Sequence, residues 1–345
     1  MDSYKKAGVD IDSQERALKE IKKILKRTAT SHVLTELGAF GSCVQFPSGQ
    51  LKEPVLVSSC DGVGTKILIA LRSGLLKGIG EDIVNHCVND VLVQGAIHPL
   101  FFMDYFASSR LVPEEMVQVI EGMGEACIEN GMALVGGETA EMPGFYVEGV
   151  FDLVGFIVSL AEKSQLLPRG TIKKGDIAIA LPSNGLHTNG YSLARRIVFE
   201  KLKLKPSSKI PGMETTVAEE FLKVHSSYLK PLKRVVTGGW IKAMAHITGG
   251  GITDNIPRIL PENCDLEVQV GSWEIPELFH FLKKEGKVST EEMFRVFNMG
   301  VGMVLIAGQD RLSTLTSHLK DSGQPFNVIG SVVEGGGHVI YNIGG

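Results

Sequence analysis

Three stretches of this sequence carry residue types suited to phosphate chemistry. The first, Val55 to Lys66 (VLVSSCDGVGTK), runs from an apolar, strand-like segment into Asp61, Gly62, Gly64, Thr65 and Lys66. Glycines let the backbone approach a ligand and turn N–H groups toward anionic oxygens. A carboxylate repels phosphate, but it can hold the Mg²⁺ that accompanies ATP. The second stretch, Met132 to Gly144, repeats this device: a strand tip leads into Gly136, Gly137, Glu138 and Thr139. In the third, Glu81 to Gln94, helical spacing places Val84, Cys87, Val88, Val91 and Leu92 on one face and Asp82, Asn85, His86, Asn89 and Asp90 on the other. Short acids, amides and an imidazole suit ligand work better than solvation, although a buried hydrogen-bond network is the plainer reading of any one of them. Asp61, Asp90 and Glu138 are therefore expected to gather around one hard cation.

Two common nucleotide motifs are absent. A Walker loop needs Gly-Lys before Ser or Thr, and here the order is Gly64-Thr65-Lys66. A dinucleotide fingerprint needs a third glycine where Ile67 stands. Two later loops place histidine beside glycine at an expected helix start: Gly185-Leu186-His187-Thr188-Asn189-Gly190, and His246-Ile247-Thr248-Gly249-Gly250-Gly251. Each offers backbone amides for an anion and an imidazole for proton transfer. The other histidines, His225 among them, have no comparable setting, and the residues give His86 no definite role.

These tips need a scaffold, and the length of 345 residues suggests about two domains. Strand-like runs end at 57, 106, 135 and 160, with helical segments between them, which gives an α/β domain over residues 1–168. A second α/β domain over 169–345 opens with the strand at Ile177 and continues through strands near 266, 302 and 326. The composition, 43% hydrophobic and 21% charged, is globular, and a net charge of −4 gives no general attraction to nucleic acid or anionic membrane. A basic segment around Lys19, Lys22, Lys23 and Lys26 reads as the solvated face of an amphipathic helix. Five unpaired-looking cysteines, an N-terminus without a signal-like apolar core and the lack of an 18-residue apolar run suggest a soluble cytoplasmic chain.

The segments DGVGTK (61–66), CVNDVLVQGA (87–96), PLFFMDYFA (99–107), GGETAEMPG (136–144), GLHTNGYSLARR (185–196), HITGGGITDNIPR (246–258) and FRVFNMGVGM (294–303), with YKKAGVDID (4–12), resemble the aminoimidazole ribonucleotide synthetase family. The resemblance is in register over nearly the whole chain. It implies a homodimer in which each chain gives a four-stranded mixed sheet to an intersubunit barrel. It also implies a ligase using ATP and Mg²⁺ to cyclise formylglycinamidine ribonucleotide through an iminophosphate. By matching motif, Asp61, Asp90 and Glu138 are implied for Mg²⁺, and Gly62, Gly64, Thr65, Lys66, Gly137 and Thr139 for the nucleotide. Lys22 is implied near the transferring group. His187 and His246 are implied for substrate phosphate and proton transfer, with Asn189, Gly190, Gly249, Gly250 and Gly251 supplying amides. This sequence departs from the family at Ser59-Cys60, where Gly-Thr is common, and at His86, where an apolar residue is usual.

Overall fold

The computed structural model describes residues 11–35, 40–167 and 171–343; the expected domain boundary at 168/169 and the matching residues 4–10 lie outside the described residues. The chain opens with α1 (Ile11–Thr28). Its residues Ala17, Ile21, Ile24 and Leu25 are buried while Lys22, Lys23 and Lys26 are exposed, as the amphipathic spacing predicts. Next come β1 (Pro54–Gly62), a 3₁₀ turn at Gly64–Lys66, α2 (Ile67–Ser73) and α3 (Lys77–Leu92). After them follow β2 (His98–Ser108), α4 (Pro113–Asn130), β3 (Ala133–Glu141) and β4 (Phe151–Glu162).

The first four strands form one mixed sheet in the order β1-β4-β2-β3, with β2 and β3 parallel and the other pairs antiparallel. Helices α3 and α4 pack together by backbone contact. A Cβ added to Gly80 would lie 1.9 Å from the carbonyl of Val119, and one added to Gly122 equally close to that of Lys77. No side chain larger than hydrogen fits at either crossing. Phe102, Phe106, Leu153 and Ile157 of the sheet are buried in the same core as these helices. The alternate residues Phe101, Met103, Tyr105, Val154, Phe156 and Val158 are half-exposed, and Leu56 is exposed.

The second half begins with β5 (Ile177–Pro182) and α5 (Tyr191–Arg195), which a π turn extends through Lys201. It continues with α6 (Val217–Phe221), α7 (Leu229–Thr237), β6 (Ala243–His246), α8 (Gly251–Asn255) and β7 (Cys264–Val270). The remaining elements are α9 (Glu277–Gly286), α10 (Thr290–Val296), β8 (Val301–Ala307), α11 (Gln309–Asp321), β9 (Asn327–Glu334) and β10 (Val339–Ile343). Its six strands are ordered β10-β7-β9-β5-β8-β6. The two halves meet where the polar face of α3 receives the segment 223–228. There Asn85 donates to the carbonyl of His225 at 2.8 Å, Asn89 donates to that of Ser226 at 2.8 Å, and Asn89 Oδ1 accepts from the Tyr228 N–H at 3.0 Å. No helix among the described residues is long and apolar enough to cross a membrane.

Candidate active site

The junction leaves a cavity of about 580 Å³ lined by residues of both halves, among them Ser59, Asp61, His86, Asp90, His246, Thr248, Asn255 and Arg258. Asp61 projects from the end of β1, His86 and Asp90 lie one helical turn apart on α3, and His246 closes β6. The His86 Nε2 lies 2.9 Å from Asp61 Oδ2 and 3.6 Å from Asp90 Oδ2, so both carboxylates meet at one imidazole nitrogen. Ser59 donates its hydroxyl to Asp90 Oδ2 at 3.1 Å and so positions that carboxylate.

A chain of polar contacts runs from this pair into the protein. His246 Nδ1 is 2.8 Å from Asp90 Oδ1, and its Nε2 is 3.0 Å from Nε2 of His225. His225 Nδ1 is 3.3 Å from the Thr188 hydroxyl, which is 2.8 Å from His86 Nδ1. Two proton assignments satisfy every link, one with His86 cationic and one with His246 cationic, and the environments of the two rings favour the first. His246 donates from Nδ1 to Asp90 and accepts at Nε2 from His225; Thr188 donates to His225 and accepts from His86; a cationic His86 donates to Asp61.

The electrostatics agree with this assignment. Burial disfavours a charged His86 ring, but the bond to Asp61 and the charges of Asp90, Asp61 and Asp82 outweigh it and raise its pKa. Asp61 and Asp90 are both held below the ordinary carboxylate value: burial opposes ionisation, and the bonds from His86 and from His246, respectively, overcome it. Burial lowers His246 despite Asp90, and it takes His187 and His225 well down, so these three rings are neutral.

The structure separates the expected site into groups. Asp61, Asp90 and His246 come together. Lys66, expected on phosphate, does not join them. The 3₁₀ turn carries its side chain inward, where its ammonium donates to Asp82 Oδ1 at 2.8 Å and to the carbonyl of Lys223 at 2.7 Å and lies 2.7 Å from Asp82 Oδ2, at 0% exposure. Thr65 instead places its hydroxyl 3.4 Å from that of Ser192. Gly62 and Gly64 remain beside Asp61, and Gly64 has a positive φ of 66°.

Within one chain Glu138 does not join Asp61 and Asp90 either. Asp61 pairs with Gly155, Gly155 with Asp104 and Asp104 with Gly137, so one row of residues crosses the whole sheet. Three strand spacings, roughly 14 Å, separate Asp61 from the edge strand bearing Gly137, Glu138 and Thr139. Glu138 and Thr139 are exposed there, and Gly137 packs on Asp104. Lys22 belongs to that edge too: it lines a separate cavity of about 390 Å³ with Leu25, Thr35 and Val135.

His187 is 1% exposed and stacks on His225 with ring centroids 4.0 Å apart; neither of its ring nitrogens has a hydrogen-bond partner among the described residues. It lies behind the cavity wall. The loops around it do meet the second glycine loop, since a Cβ on Gly249 would lie 3.3 Å from Asn189 Oδ1. Asn255 ties that loop by donating to the carbonyls of Thr248, Gly249 and Gly251. The expected helix starts are real, but α5 and α8 are only five residues each. Gly190 is required by the Phe297 ring and Gly251 by the carbonyl of Phe294, against which any Cβ would collide. Two residues of this arrangement escaped the sequence reading. His225 precedes Ser226 and Ser227 with no glycine loop or strand tip to mark it, and Arg258 was quoted only within a motif.

Two family models cover most of the chain: the AIR synthase related protein N-terminal domain matches residues 47–161, and the corresponding C-terminal domain matches 173–342. Among curated relatives, the phosphoribosylformylglycinamidine cyclo-ligase of Alkaliphilus oremlandii is 44% identical over 98% of this chain and 99% of its own length. That of Geobacillus thermodenitrificans is 46% identical over 97% and 96%. Among solved structures, thiamine-monophosphate kinase from Stenotrophomonas maltophilia superposes with a TM-score of 0.70 at 17% identity, covering 93% of this chain and 94% of that one. The hydrogenase maturation protein HypE in complex with ATP gives 0.66 at 17%, covering 93% and 89%.

Proposed function

The chain belongs to the AIR synthase related family, and we propose that it is the ATP-dependent ligase that closes the imidazole ring of 5-aminoimidazole ribonucleotide in purine biosynthesis. The observation that carries this reading is the cavity in which Asp61, Asp90, His246 and Arg258 converge from both halves of a chain matched over nearly its full length. The substrate is formylglycinamidine ribonucleotide. Its formyl amide oxygen is a poor leaving group, so it attacks the γ-phosphorus of ATP and ADP departs. The amidine nitrogen then attacks the former amide carbon of the iminophosphate, the C–O bond breaks, and phosphate leaves.

The residues divide this work. Asp61 and Asp90 would hold the divalent cation of ATP, which when bound neutralises triphosphate charge; two carboxylates on a cavity wall fit such an ion. Gly62, Gly64 and Thr65 approach the nucleotide from the same strand tip. Arg258, with Asn189, Gly190 and the Gly249 to Gly251 loop, binds the phosphate of the substrate. His246 takes the proton lost by the amidine nitrogen on closure at Nδ1, once the proton it shares with Asp90 has moved onto that carboxylate. His187 supports the His225 ring from behind. Lys22, Gly137, Glu138 and Thr139 have no step within a single chain.

A cytoplasmic homodimer completes the reading. The strands β1 and β3 are the free edges of the first sheet, and its half-exposed apolar face is suited to another sheet. Light scattering on the purified protein should give twice the chain mass. The decisive assay supplies formylglycinamidine ribonucleotide with Mg-ATP and follows ADP and aminoimidazole together; equimolar formation is expected. ADP formed without aminoimidazole, or neither product, overturns the assignment.

A further inference from the structure

We propose that Asp61, His86, Asp90 and His246 form a mixed nitrogen and oxygen site for a first-row transition ion of the Mn²⁺ to Zn²⁺ class, bound in preference to Mg²⁺. The inference rests on the reading of Asp61 and Asp90 as cation ligands and adds two imidazoles to it. Donor atoms of His86, Asp90 and His246 all lie within 4.8 Å of one another, and Asp61 Oδ2 extends the group from 2.9 Å beyond His86 Nε2. The adjacent donor separations of 2.8, 2.9 and 3.6 Å bracket the edge of about 3 Å expected between neighbouring ligands of an ion bound at 2.0–2.2 Å.

The surroundings are those of a built site. Ligating imidazoles normally have their second nitrogen held by a hydrogen bond, which fixes ring orientation. Here Thr188 holds His86 Nδ1 at 2.8 Å, and His225 holds His246 Nε2 at 3.0 Å. Ser59 fixes Asp90. The donors line the large cavity, so an ion has a way in. His86 gives up its Nε2 proton to solvent. His246 and His225 switch tautomers: His246 releases its Nδ1 proton and takes the Nε2 proton of His225, while His225 gains a proton at Nδ1 and donates it to the Thr188 oxygen, which leaves a bare His246 Nδ1 facing the ion. Mg²⁺ strongly favours oxygen and water ligands, whereas imidazole suits the later divalent ions, so the two rings set the preference.

The direct test uses the full-length protein without nucleotide. One equivalent of Mn²⁺ studied by pulsed electron paramagnetic resonance should show ¹⁴N couplings from directly bonded imidazole; a spectrum with oxygen ligands alone overturns the proposal. Titrations with Co²⁺ and with Mg²⁺ provide a second readout. His86→Asn should weaken Co²⁺ binding at least about tenfold and Mg²⁺ binding less than about threefold; equal effects on both ions overturn it. The wild-type spectrum decides even where the variant fails to fold. Cyclisation with Mg-ATP on the same preparation separates the two readings. Normal turnover with an oxygen-only spectrum removes the imidazoles from the site and leaves the ligase reading intact. Nitrogen coupling without cyclisation under either ion supports the metal site and removes that reading.

Discussion

Helix α3 carries two aspartates on one polar face, two turns apart, and the protein uses them in opposite ways. Asp82 has an exposure of 0% and is locked to Lys66, with an additional bond from the His225 N–H at 2.7 Å. Asp90 is 26% exposed, faces the cavity, and meets imidazoles where Asp82 meets an ammonium. Burial pushes Asp82 upward and Lys66 downward against their mutual attraction, whereas Asp90 is held low. Asparagines 85 and 89 side with Asp82 in the junction, and His86 sides with Asp90 in the cavity. One face thus serves as a dock between the two halves and as a wall of the site, and a single helical turn divides the roles.

The largest effect is expected at the dock. Asp82→Leu leaves the Lys66 charge buried without its partner and should cost about 3–5 kcal/mol of unfolding free energy, measured by urea titration. The double replacement Lys66→Met/Asp82→Leu should recover most of that loss. A loss under about 1 kcal/mol for the single variant would mean that the pair is dispensable to the junction. At the wall the effect moves from stability to rate. Asp90→Asn should reduce cyclisation about 10²- to 10³-fold while changing stability by less than about 1 kcal/mol. A variant that unfolds but turns over normally would reverse the two assignments. Between these extremes, Asn89→Ala removes the contacts to Ser226 and Tyr228 and should cost about 1–3 kcal/mol, again with little change in chemistry per folded molecule.

The sequence carried this helix legibly because period alone separates its faces, but it could not divide the polar face between dock and wall. That division depends on segment 223–228, which is far away in the chain and has no motif of its own. A first domain of about four strands with helices and the second α/β half were also legible from strand tips and amphipathic spacing, whereas the mixed sheet came only from the family resemblance. Strand order was not. Asp61 and Glu138 sit on similar Gly-rich tips, yet the order β1-β4-β2-β3 puts them on opposite edges. Lys66 misled for a local reason: a 3₁₀ turn of three residues, beginning at a positive-φ glycine, redirects a side chain that a simple loop would have left beside the ligand.

The smallest effect sharpens the comparison through pH, read with a chelator present. The folded-state pKa of His86 lies above its ordinary 6.5, so its contribution is complete below that value and is lost as pH rises through the higher one. Asp61 and Asp90 lie below their ordinary 3.8, so theirs is complete above it and is lost as pH falls through the lower values. The wall is therefore fully charged, and its ion pairs strongest, between about pH 4 and 6.5. The stability of wild type relative to His86→Asn should decline between pH 6 and 9 by less than about 1 kcal/mol, because the pair is partly open to water. A difference that stays flat over that range would mean that the ring is already neutral in the folded protein. Asp61 would then lack its cation, and the distinction between an ammonium-paired dock and an imidazolium-paired wall would reduce to burial alone.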